Sequence, residues 1–148
     1  TCSCTMPGRA TALEWAVVNT LGPMRVQQAL HGQMRSPGGK VVMISTGYAS
    51  IGDNGSGGTY AHRTSKCAVN MIVKSWGVDF KEKEIAVRAI APGFVATEFG
   101  GLEKMIAWGG KPVDVCVTGL IGMLDSMSMA DTGTFWNVGA TSKDGVDK

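Results

Sequence analysis

Two short apolar runs, each bounded by a turn signal, constrain this chain more than any other feature. Val41-Val42-Met43-Ile44 follows Pro37-Gly38-Gly39, and Ile85-Ala86-Val87-Arg88-Ala89-Ile90-Ala91 stops at Pro92-Gly93. Continuous runs of this length, rich in β-branched residues, suit strands buried on both faces, as in a parallel sheet covered by helices. Gly133-Thr134-Phe135-Trp136-Asn137-Val138-Gly139 reads as a third strand. Helical spacing fills the intervals. The first helix carries Leu13, Ala16, Val17, Thr20, Leu21 and Met24 and continues through Val26 and Leu30. Pro23 lacks an amide hydrogen, which predicts a bend near Val18-Asn19. A second helix runs from Tyr60 to Phe80, and a third begins at Pro112, a residue suited to a first turn. Helix, strand, helix, strand, helix, strand predicts a three-stranded parallel α/β sheet.

The 148 residues are one domain's worth. Residues 1–11 read as an extended arm, 12–140 as the domain and 141–148 as a polar tail. Fourteen basic and twelve acidic residues are mixed along the chain, giving +2. With no basic block, nucleic acid is not an expected partner. No run approaches the 18 apolar residues of a spanning helix. Thr1-Cys2 in place of an initiating methionine reads as a processed or partial product. Cys2 and Cys4 are too close for ordinary disulfide geometry, and no metal-ligand spacing of Cys or His occurs. Cys67 and Cys116 fall in apolar helical patterns as free thiols, which suits a reducing compartment.

The chemistry gathers between Gly39 and Lys66. His62 and Lys66, four apart, share a helical face, and the ammonium favours the deprotonated form of its neighbour. The strand end before them carries two hydroxyls, Ser45 and Thr46, which by alternation face opposite ways. A strand ending in hydroxyls, a glycine-rich loop over 47–59, and a helix opening His62-Arg63-Thr64-Ser65-Lys66 resemble the active-site wall of the short-chain dehydrogenase/reductase family, in its carbonyl-reductase-like branch. Val18-Asn19-Thr20-Leu21-Gly22 resembles that family's asparagine helix, Gly39–Thr46 its fifth strand, and Ala91-Pro92-Gly93-Phe94-Val95-Ala96-Thr97 its segment beside the nicotinamide.

The resemblance implies a Rossmann-like, partial doubly wound parallel sheet, with the three runs as strands 5, 6 and 7. It implies Asn19, Thr46, His62 and Lys66 at the catalytic positions, and Lys66, Pro92, Gly93 and Thr97 at the nicotinamide end of NAD(P). Two departures stand beside it. The family's proton-transferring tyrosine is replaced by His62, and Tyr60, about 200° away around the helix, does not substitute for it. No strand-glycine-helix unit for the pyrophosphate precedes Ala12, and Gly52-Asp53-Asn54-Gly55-Ser56-Gly57-Gly58 lacks the G-x-G-x-x-G spacing. Two readings follow. One is a non-catalytic scaffold or subunit of a larger assembly, with no cofactor bound and a protein partner, from another copy or another chain, along the 40–46 strand edge. The other is part of an NAD(P)-dependent carbonyl reductase or alcohol dehydrogenase completed by an N-terminal half. Trp15, Met24, Met71 and Trp76 are expected to add an exposed patch.

Overall fold

A computed structural model describes residues 11–98 and 101–138. Apart from Thr11, the expected arm lies outside the described residues, as do the expected tail and the last residues of the expected domain.

The first helical stretch is broken where proline demands it. Thr11 and Glu14 form a reciprocal capping box that starts α1 (Ala12–Ala16). A π turn over Val17–Leu21 follows, in which the Gly22 N–H donates to the Val17 carbonyl, and α2 (Gly22–Leu30) carries Pro23 in its first turn. Pro23 offers no N–H to the Asn19 carbonyl four residues back, so the expected bend takes the form of a one-turn π bulge. A 3-10 turn, His31–Gln33, ends this layer.

The remaining elements are β1 (Lys40–Ile44), α3 (Tyr60–Asp79), β2 (Ala86–Ala91), α4 (Leu102–Ala107), α5 (Val113–Asp125) and β3 (Thr134–Asn137). The strands are parallel in the order β1-β2-β3, with Val41 opposite Val87 and Ala89 opposite Phe135. All of β2 is buried. One core joins Val41, Met43, Val69, Val73, Phe80, Ile85, Val87 and Ala89, with Met34, Trp76 and Phe135 packed against it. Helix α3 therefore covers one sheet face. Its closest approach is at Gly77, where an added Cβ would lie 2.6 Å from the Gly133 Cα. On the other face Arg88, 2% exposed, pairs with Asp131 at 2.7 Å and lies 4.5 Å from the centre of the Trp136 ring.

Two expectations are corrected. Strand β1 is not buried on both faces: Val41 and Met43 are buried, while Lys40 and Ile44 are exposed, Ile44 by 51%. An apolar run encodes the capacity for burial, but burial on a given face needs an element packed there. The exposed apolar patch is also placed differently. Met71 is exposed, but Trp15, Met24 and Trp76 are half-buried, and Leu13, Val18, Val26 and Val78 stand in water instead. Between β2 and α5, the short helix α4 sits in a loop closed by the pairing of Val95 with Lys111.

Candidate active site at the strand ends

Parallel strands place their carboxyl ends on one edge of the sheet, the usual site for ligands of open α/β folds. Here that edge carries Ser45-Thr46 after β1, Pro92-Gly93 after β2 and the first turns of α3 beside β1. Period-2 alternation decides which groups face outward. The Gly39 carbonyl accepts from the Ala86 N–H and the Ser45 N–H donates to the Ile90 carbonyl, so odd-numbered residues of this strand face β2. The backbone groups of Val42 and Ile44 then face the outer edge.

The Lys66 ammonium donates to the Ile44 carbonyl at 2.8 Å, so it sits at that outer edge with further donors in reserve. Burial lowers its pKa. Asn19, half-buried in the π turn, donates from Nδ2 to the Ser65 hydroxyl at 3.1 Å, and Thr20 Oγ1 donates to the Ser65 carbonyl at 2.8 Å. The bulge is thereby fixed one residue from Lys66. Ser45, facing away from Thr46 as alternation requires, donates to Asn70 Oδ1 at 2.7 Å. The Thr46 oxygen accepts from the Tyr48 N–H at 3.3 Å and caps the 3-10 turn Gly47–Ala49.

His62 occupies an aromatic setting. Its ring centre lies 5.2 Å from that of Trp15 and 6.0 Å from that of Tyr48, the latter edge-on. Burial, then Lys66, then Arg63, lowers its pKa below 6.5. All three causes favour neutral imidazole, so near neutral pH this group holds no proton in excess. Tyr60 is 57% exposed on the helix flank, as its rotation around α3 predicts.

Asn19, Thr46, His62 and Lys66 are thus gathered around the first turns of α3. Pro92 is half-buried and Gly93 exposed at the end of β2. The Thr97 hydroxyl faces the Met105 sulfur at 3.9 Å, while Gly101 holds the N-cap of α4. Three residues around His62 are not among the site residues read from the sequence: Trp15, Tyr48 and Arg63, the last quoted only as part of the motif. Trp15 and Tyr48 belong to elements remote in sequence, whereas a lone arginine at the start of a helix gives no sign of being 8% exposed. A cavity of about 210 Å³ lies elsewhere, lined by Gln27, Gln28, His31, Trp76, Asp79 and Phe80. Trp76 is about 15 Å along α3 from Lys66, so this cavity is separate from the strand-end residues. Among the described residues, no helix is long and apolar enough to cross a membrane.

The family profile for short chain dehydrogenase matches residues 10–104. The C-signal protein of Myxococcus xanthus is 30% identical over 125 residues, covering 84% of this chain and 72% of that protein. A 1-hydroxy-2-glutathionyl-2-methyl-3-butene dehydrogenase of Rhodococcus sp. (strain AD45) is 33% identical over 122 residues, covering 80% and 51%. Among solved structures, NADPH-bound carbonyl reductase from chicken fatty liver aligns with a TM-score of 0.71 and 25% identity, covering 90% of this chain and 58% of that one. The carbonyl reductase Sniffer of D. melanogaster aligns with a TM-score of 0.78 at 23% identity, with the same coverages, a likeness of fold alone. The chain therefore spans little more than half the length of the carbonyl reductases and of the Rhodococcus dehydrogenase.

Proposed function

This chain belongs to the short-chain dehydrogenase/reductase family, and we propose that it serves as a non-catalytic domain of that type, a scaffold or subunit within a larger assembly. His62 carries the proposal. In the family pattern a phenol hydroxyl at this position exchanges the carbonyl proton. The imidazole here is held neutral by burial and two neighbouring cations, which leaves a weak donor where an acid is needed. The partner's place is the outer edge of β1. Val42 and Ile44 offer backbone groups there, Lys66 occupies one carbonyl, and an apolar strand edge that no strand pairs with among the described residues invites another chain.

The test is NADPH consumption with a panel of aldehydes and quinones, by the chain and by its His62→Tyr variant. The chain is expected to show no turnover above buffer. Turnover by the unmodified chain, abolished by Lys66→Met, would overturn the proposal.

A second reading, part of an NAD(P)-dependent carbonyl reductase, draws on the grouping of Asn19, Thr46 and Lys66 and on the NADPH held by the chicken enzyme. NAD(P), when bound, would supply or accept hydride. The residues fit the nicotinamide end: Lys66 keeps donors for ribose hydroxyls, and the space around Gly93 is open, since an added Cβ would meet its nearest atom, the Val138 carbonyl oxygen, at 3.8 Å. Pro92 and Thr97 would border the ring. For a reduction in this setting, Thr46 would orient the carbonyl and Lys66 would hold the ribose. The proton would come from water through His62, because the imidazole itself is neutral. Tight binding of NADPH by the chain would favour this reading over the first.

A further inference from the structure

We propose that residues 51–59 form a lid beside the first turn of α3, which carries His62, latched shut by Arg63 and hinged at Thr59. Every residue of this segment is exposed, and its hydrogen bonds include short-range turns, such as Gly57 N–H to Asn54 Oδ1 and Asp53 N–H to Ser50 Oγ. Arg63 ties its far half to α3. Arg63 donates from Nη2 to Ser56 Oγ at 2.8 Å and to the Gly57 carbonyl at 3.1 Å. It also donates from Nε to the Gly58 carbonyl at 3.1 Å and from Nη1 to the Tyr48 carbonyl at 3.3 Å. The same guanidinium lies 4.5 Å from the centre of the Tyr48 ring, whose edge meets His62. A planar, five-donor fork is suited to gathering several loop carbonyls at once, and a lysine cannot reproduce it.

The hinge is the other half of the device. Gly57, Gly58 and Thr59 are consecutive left-handed residues, with φ of 60°, 67° and 45°. Glycine adopts this region freely, whereas a β-branched threonine is strained there. Thr59 is the N-cap of α3, but its side chain makes no capping bond. The latched position is therefore held against strain, and loss of the latch lets Thr59 relax to an extended conformation that swings the segment outward. The inference goes beyond the scaffold reading and does not depend on turnover, since it rests on the loop's own bonds.

Two variants of opposite sign test it on the full chain. Arg63→Lys keeps the charge but loses the fork, and Thr59→Gly removes the strain of the latched state. The readouts are the rate of limited proteolysis within 51–58 and the rate of His62 acylation by diethyl pyrocarbonate, assigned by peptide mass spectrometry, with His31 as internal control. Arg63→Lys is expected to raise both rates about tenfold, and Thr59→Gly to lower them about threefold, with the His31 rate unchanged. Equal rates in all three proteins, or faster rates in Thr59→Gly, would overturn the lid. If Arg63→Lys does not fold, Ser56→Ala removes one latch bond and must still accelerate both reactions, or the proposal fails.

Discussion

At the residue scale the decisive substitution is chemical. In the proposed reading, imidazole at position 62 stands where the family pattern has a phenol, and burial, Lys66 and Arg63 all favour its neutral form. The folded pKa lies below 6.5, so as pH falls through 6.5 the unfolded chain gains a proton before the folded chain does. Stability from this group is complete above that value and declines below it, until the folded group also protonates. We predict a His62 ring-proton titration midpoint below 6.5 by NMR. It should move upward in Lys66→Met but not reach the ordinary value, because burial is the largest cause. A midpoint above 6.5 in the unmodified protein would refute the electrostatic picture. Position 88 is equally chemical. A guanidinium sits inside the central strand, and breaking a buried pair leaves its charge uncompensated. Asp131→Asn should destabilise by about 3 kcal/mol in urea unfolding, at the low end for buried pairs because Asp131 reaches water. Adding Arg88→Met should recover much of that loss.

At the element scale, α3 is the member on which the site depends. Its inner side packs on β1 and β2 through Val69 and Val73, its first turns hold Lys66 to the strand edge, and its last turn meets Gly133 backbone to backbone. Gly77 allows that approach. Gly77→Ala places a methyl group against unyielding backbone and should cost about 1–3 kcal/mol. Gly122, in the interior of α5 with open space around its missing Cβ, is the control: Gly122→Ala should stabilise by about 0.5–1 kcal/mol. Equal effects of the two in urea titrations would show that the α3–β3 contact is not tight. The π turn belongs to this scale as well. The Pro23 in its successor helix is plain in the sequence, but the use of the bulge, presenting Asn19 and Thr20 to Ser65, depends on where α3 lies.

On the scale of the whole molecule, the sheet is open along β1 among the described residues, and Ile44 is 51% exposed there. Strand edges of this kind associate unless blocked by charge or cover. The chain is expected to self-associate or to bind a partner at micromolar concentration, as read by sedimentation velocity. Ile44→Glu should shift the distribution toward monomer while leaving the circular dichroism unchanged. A monomer with a cooperative melt, unaffected by that substitution, would dismiss the edge as a docking surface.

By itself the sequence determined the order of helices and strands, the parallel sheet and the positions that carry the family pattern. Each of these is written in local periodicity or in short contiguous motifs such as His62–Lys66 and Ala91–Thr97. The π bulge was half-legible, since Pro23 announces a break without saying what the break is for. Only the tertiary structure decided that Ile44 in β1 stands exposed, because burial depends on which elements arrive to pack there. It alone brought Trp15 and Tyr48 against His62, buried Arg63 beneath its loop and paired Arg88 with Asp131. Those contacts join residues whose partners are fixed by the crossing of separate elements, and no local pattern records where such elements cross.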